Sequence, residues 1–158
     1  MGPHVLFLCW GNICRSPMAE RVAAALAEKA GVEATFSSAG VSREELGNPM
    51  DHRARKVLAE FGYDGSGHVA RQVDARDLAE ADLVVAAEQY HLDRLRAMGH
   101  ELPDLALVSD FDPEAQPGEP LPDPWYGDRS DFLETLAVLE RAIPHLLRRL
   151  TGATGPGH

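Results

Sequence analysis

Two cysteines in 158 residues are too few for the disulfide framework of a small secreted scaffold. They are also too few for a thiolate zinc site, and no histidine pair stands near them at ligand spacing. No apolar run approaches the ~20 residues that span a bilayer, and no signal peptide precedes the first apolar segment. Positive charge is short as well, with 15 Lys and Arg against 25 Asp and Glu and a formal net charge of -10. Nucleic acid and anionic membranes are therefore poor partners, and an anionic substrate gains nothing from the overall field. There is no internal repeat. What remains is 44% hydrophobic and 25% charged, the balance of a soluble globular protein in a reducing cytoplasm. The length suits one domain over residues 1–150, followed by a flexible polar tail over 151–158.

The informative stretch runs from Val5 to Met18, VLFLCWGNICRSPM. Val5 to Leu8 are four consecutive apolar residues and predict a short buried strand. Ser16 reads as a helix N-cap and Pro17 as the first helical residue. A loop that opens straight into a helix aims several backbone N–H groups at one point, and the helix dipole adds partial positive charge there. Such a concavity suits a dianion. Cys9, at its rim, would be held as thiolate by the same field, and Arg15 adds a planar fork that matches phosphate oxygens. Asn12 is expected to take a left-handed backbone conformation. Two buried structural thiols would be the plainer account of Cys9 and Cys14, but they leave Gly11, Asn12 and Arg15 unexplained. A nucleotide phosphate loop would need Gly-Lys-Ser/Thr where Cys14-Arg15-Ser16 stands.

Along the rest of the chain, helices are expected over about 17–30, 51–61, 74–80, 88–98 and 128–150. Strands are expected over 33–38, 82–87 and 105–108. Met18, Val22, Leu26 and Ala30 form an apolar stripe on the first helix, and Phe132, Leu136, Leu139, Ile143, Leu146 and Leu150 form one on the last. Pro144 predicts a kink or break in that last helix. Residues 109–127 hold five prolines and read as a long functional loop. Alternating strands and helices give the fold class: α/β, a doubly wound four-stranded parallel sheet with helices on both faces and a phosphate loop after strand 1. Ligands of such sheets bind beyond the carboxyl ends of the strands, where Cys9 lies.

Attack of the Cys9 thiolate on a phosphate monoester would expel an alkoxide or phenoxide that needs a proton, and Asp110, Asp112 and Asp123 are the carboxylates near the proline-rich loop. Trp10, Trp125 and Tyr126 could wall a slot for an aromatic ring. His68 is either a loop histidine or a support for the site, and Ser16 either caps the helix or also donates to the Cys9 sulfur.

The spacing Cys-x5-Arg-Ser after a strand resembles the phosphate loop of cysteine-dependent phosphatases. The full string from Cys9 to Pro17, with its second cysteine and Ser-Pro, resembles the low-molecular-weight protein tyrosine phosphatase family. Ser38-Ala39-Gly40, the His68 segment and Asp123-Pro124-Trp125-Tyr126-Gly127 extend the resemblance over most of the chain. It implies strand order 2-1-3-4, a phosphocysteine on Cys9, and phosphate held by the Arg15 side chain and the N–H groups of Trp10 to Arg15. It also implies Asp123 as general acid with Asp112 as runner-up, side-chain hydrogen bonds from Asn12 that fix the loop, and His68 as a support. No cofactor or metal is called for. The implied substrates are phosphotyrosine proteins, with phosphate or vanadate as inhibitors, and Cys14 could pair reversibly with Cys9 under oxidant. Related arsenate reductases need further cysteines, and the arginine phosphatases of the family carry threonine where Ile13 stands. A non-catalytic phosphate-binding module is disfavoured by the joint presence of Cys9, Arg15 and Asp123. Where family members carry a large apolar or aromatic residue after Ser-Ala-Gly, this chain has Ser42-Arg43-Glu44-Glu45, so one wall is expected to be open and acidic.

Overall fold

In the computed structural model, which describes residues 2–152, the centre is β1 (His4–Cys9), whose last five residues are buried. Its side chains alternate between two apolar layers, as the period of a strand dictates. Val5, Phe7 and Cys9 enter one layer with α1 (Arg15–Ala30), α2 (His52–Glu60) and α5 (Arg129–Leu150), while Leu6 and Leu8 enter the other with α3 (Ala75–Glu80) and α4 (Gln89–Ala97). Helices therefore cover both faces of the sheet. The strands β2 (Thr35–Gly40), β3 (Leu83–Ala86) and β4 (Asp104–Leu107) complete a parallel sheet in the order β2-β1-β3-β4. Cys9 pairs with Gly40, and Leu8 pairs with Ala86. The carboxyl ends of β1, β2 and β3 thus meet at one edge, beside the point where the chain direction of winding reverses.

Several sequence expectations shift. The second strand is Thr35–Gly40, two residues later than expected. Ser16 is not the N-cap of α1: the helix starts at Arg15, Cys14 flanks it, and Ser16 is buried in the first turn. The serine hydroxyl is used sideways, in the site described below. Pro17 still fits, since N–H groups of a first turn have no intrahelical acceptor. In α1, Met18 and Val22 are buried, Leu26 is half-buried and Ala30 is exposed, while Ala19, Ala23 and Ala27 join the core. A strict four-residue spacing drifts off one face of a 3.6-residue helix.

Pro144 does not break α5, which is continuous from Arg129 to Leu150. Burial of Leu139, Ile143, Leu146 and Leu147 around it outweighs the ~3 kcal/mol that an internal proline costs. The proline-rich segment is ordered by specific contacts: a 3-10 turn at Val108–Phe111, the Leu121 N–H on the Ala87 carbonyl and Thr135 Oγ1 on the Pro122 carbonyl. The expected tail lies, beyond Gly152, outside the described residues. Among the described residues, no helix is long and apolar enough to cross a membrane.

Candidate active site

The loop after β1 is built from Cys9 to Cys14 and runs into α1. Asn12 is the one non-glycine residue with positive φ, 62°, among the described residues, as expected from the sequence. Its buried side chain explains why that conformation holds. Nδ2 donates to Ser16 Oγ at 2.9 Å and to Ser38 Oγ at 3.0 Å, and Oδ1 accepts the Arg71 N–H at 3.1 Å. Ser38 Oγ in turn donates to Glu20 Oε1. The Asn12 carbonyl lies 2.6 Å from His68 Nε2. A carbonyl only accepts, so this nitrogen carries the proton. Burial pushes the His68 pKa down, against the opposing pull of the Asn12 bond, and the ring is neutral near neutral pH. Gly40 lets β2 approach this loop: a Cβ there would meet the Trp10 carbonyl oxygen at 2.6 Å and Asn12 N at 3.2 Å.

Cys9 Sγ lies 2.9 Å from Ser16 Oγ. Ser16 Oγ accepts from Asn12, and its one proton has two acceptors in reach, the Cys9 sulfur at 2.9 Å and the Ala39 carbonyl at 3.5 Å, of which the sulfur is the nearer. Both cysteines are buried and unlinked. Burial, followed by the nearby Asp51 and Cys9 charges, pushes the Cys14 thiol up, so it is the less nucleophilic form that Cys14 presents. Among the described residues, the N–H groups of Gly11, Asn12, Ile13 and Cys14 donate to no protein acceptor.

Arg15, almost fully buried, projects from the start of α1 into the same cleft. Nη1 donates to the Leu121 carbonyl at 2.8 Å, and Nη2 pairs with Glu88 Oε2 at 2.8 Å and with Asp123 Oδ2 at 3.7 Å. The cleft holds about 360 Å³ and is lined by Cys9, Arg15 and Asp123, by the aromatic Trp10, Tyr90, Trp125 and Tyr126, and by Glu44, Glu45 and Glu88. Trp125 is partly exposed, and Tyr126 is 96% exposed at the rim. The expected wall is acidic, with Glu44 exposed, and Glu44 Oε2 accepts from Trp10 Nε1 at 2.6 Å. Trp10 also stacks on Tyr90 with ring centres 5.6 Å apart.

Every residue of the expected site is therefore gathered at this edge of the sheet, with His68 behind the loop. Asp112 is not. Its buried carboxylate takes two bonds from Arg141, at 2.7 and 2.8 Å. The Arg141 bond holds its pKa below the usual carboxylate range despite burial. Asp110 is likewise occupied, accepting the Leu107 N–H.

Sequence reasoning missed Glu88 and His91. Glu88 follows the strand that pairs with β1, and a parallel sheet brings those two carboxyl ends together; that position was the available signal. His91 Nδ1 accepts the Glu88 N–H at 3.2 Å, and burial, then the Arg15 charge, drives its pKa down to about 4.

Residues 4–154 match the family model described as low molecular weight phosphotyrosine protein phosphatase. The chain is 42% identical over 146 residues to low molecular weight protein-tyrosine phosphatase A of Mycobacterium tuberculosis, covering 90% of this chain and 88% of that one. It is 43% identical over 152 residues to low molecular weight protein-tyrosine-phosphatase of Streptomyces coelicolor, covering 91% of each. The crystal structure of YfkJ from Bacillus subtilis superposes with a TM-score of 0.87 at 30% identity, over 98% of each chain. With strand order, loop and relatives in agreement, the chain belongs to the low molecular weight phosphotyrosine protein phosphatase family.

Proposed function

We propose that this chain hydrolyses phosphotyrosine in proteins through a phosphocysteine on Cys9. The observation that carries the reading is the hydrogen-bonded line Asn12 to Ser16 to Cys9 Sγ, facing Asp123 across Arg15 in one aromatic-walled cleft. The Cys9 sulfur attacks phosphorus, the bond from phosphorus to the tyrosyl oxygen breaks, and Asp123 gives its proton to that oxygen. The Ser16 hydroxyl steadies the sulfur's charge. Arg15 and the N–H groups of the loop hold the equatorial oxygens, where transition-state charge collects, and the incoming phosphate competes with Glu88 for the guanidinium. In the second step water attacks phosphorus, the Asp123 carboxylate takes its proton, and the phosphorus–sulfur bond breaks to return the Cys9 sulfur and free phosphate. No step calls for a metal or a cofactor. Phosphate and vanadate would bind in the same cradle and inhibit. The two free thiols fit a reducing cytoplasm, where a Cys9–Cys14 disulfide would shield the nucleophile reversibly from over-oxidation.

The test separates the two aspartates. Tyrosine's phenol has a pKa of about 10 and leaves poorly without a proton, whereas nitrophenol leaves readily. Asp123→Asn should slow burst-phase phosphoenzyme formation from phosphotyrosine on the order of 10²-fold or more, and from nitrophenyl phosphate far less. Asp112→Asn should show no such bias and should instead lower the unfolding midpoint, because it weakens the pair with Arg141. If the bias appears in Asp112→Asn alone, the acid is misassigned.

A further inference from the structure

Asp123 sits on a short turn whose two ends are fastened differently. The leading end is fixed by the Leu121 N–H on Ala87 and by Thr135 on the Pro122 carbonyl. The trailing end has the cationic side chain of Arg53 against it. Nη1 of Arg53 donates to the Gly127 carbonyl at 3.0 Å, and the guanidinium lies 5.5 Å from the Trp125 ring centre and 4.8 Å from that of Phe132. The turn between is drawn together by the Gly127 N–H on the Pro124 carbonyl and the Trp125 N–H on Asp123 Oδ1. Moving Gly127 or Trp125 therefore moves the Asp123 carboxyl.

Arg53 is itself held tightly. Asp51 Oδ1 accepts from the Arg53 N–H and Nε, and Oδ2 accepts from Nη2 at 2.9 Å. The bond to Asp51, against desolvation, pushes the Arg53 pKa up, and the charge is permanent. Asp51 in turn donates its own N–H to the Ile13 carbonyl at 2.9 Å, in the middle of the phosphate loop. One relay thus runs from Ile13 through Asp51 and Arg53 to Trp125 and Gly127. Arg53 does not line the cleft and touches no reacting atom.

We infer that Arg53 is a positioning residue for the proton donor, tying the Asp123–Gly127 turn to the phosphate loop so that carboxyl and sulfur keep one spacing. The inference rests on the assignment of Asp123 above. A planar fork that bonds a carboxylate on one edge and a carbonyl on another, while stacking on two rings, is a task lysine performs only in part.

The experiment is burst-phase kinetics on the full chain with Arg53→Met, Arg53→Lys, Asp123→Asn and the double variant Arg53→Met/Asp123→Asn. Arg53→Met should slow phosphoenzyme formation from phosphotyrosine by about 10-fold and from nitrophenyl phosphate by less than about 2-fold. Inhibition by inorganic phosphate should change by less than about 2-fold, since the cradle itself is untouched. Arg53→Lys should fall between wild type and Arg53→Met. The double variant should be no slower than Asp123→Asn alone, because the arginine acts through the aspartate. Equal slowing on both substrates, or losses that multiply in the double variant, would overturn the inference. If Asp123→Asn shows the leaving-group bias and Arg53→Met does not, only this inference falls. If Asp123→Asn shows no bias, the acid assignment falls and takes this inference with it. Should Arg53→Met fail to fold, Arg53→Lys and its double variant carry the same comparison.

Discussion

His91 and His68 do opposite things to what an exposed histidine does. Each is held neutral by burial, and each bonds a backbone group of the site, the Glu88 N–H and the Asn12 carbonyl. For His91 the folded pKa is about 4, against about 6.5 in an unfolded chain. Between those values the unfolded chain binds more protons, so stability is complete above about pH 6.5 and declines as pH falls toward 4. The decline due to His91 should be on the order of 2 kcal/mol by the lower end of that window, and His68 adds in the same direction. Denaturant midpoints recorded from pH 7 to pH 5 would drop for the wild type and drop less for His91→Asn, which keeps an acceptor near the Nδ1 position. A wild-type midpoint that holds steady through the window contradicts this account. Neither ring was equally visible beforehand. His68 stands in a segment with a recognisable local pattern, whereas His91 lies on an ordinary helix, where histidine is a common bland residue.

Among the elements, β1 and the turn after it were legible because their information is contiguous: apolar run, glycine, left-handed asparagine and arginine lie within a dozen positions. Where the reading slipped, a long-range contact overrode a local preference. Ser16 has the residue type of an N-cap, but Asn12 and Cys9 both engage its hydroxyl, and the helix begins two residues earlier than expected, at Arg15. Glu88 and Arg53 come from segments far from Cys9, and no local pattern marks either. Pro144 is the clearest override. Its missing N–H leaves the Glu140 carbonyl without the usual helical donor, yet packing carries α5 through. Pro144→Ala would restore that bond while losing ring contacts with the groove formed by Leu26, Val32 and Leu147. A net gain of about 1 kcal/mol is expected, read as a raised thermal midpoint. A lowered midpoint would mean that the ring's contacts outweigh the helical bond.

At the scale of the whole molecule, a loop of N–H donors and the Arg15 guanidinium sits inside a protein of net charge -10. Substrates that are themselves anionic approach against that field, and added salt screens it over the ~10 Å Debye length at 0.1 M. For an acidic phosphotyrosine peptide, kcat/KM should therefore rise between about 10 and 150 mM sodium chloride, by a few-fold. A steady fall would mean that Arg15 and the loop, not the overall charge, govern the approach. The bond from Arg15 to the Leu121 carbonyl joins residues 106 positions apart, and this carries a consequence for how the chain comes into being. Closing so long a loop is an entropic expense that local helices do not meet. It can be met only after the crossovers between them have packed, so nascent chains ending before Leu121 hold the whole sulfur-bearing loop yet lack the far wall of the cleft. Competence arrives with the segment around Leu121 and Asp123 rather than with the motif that announces it.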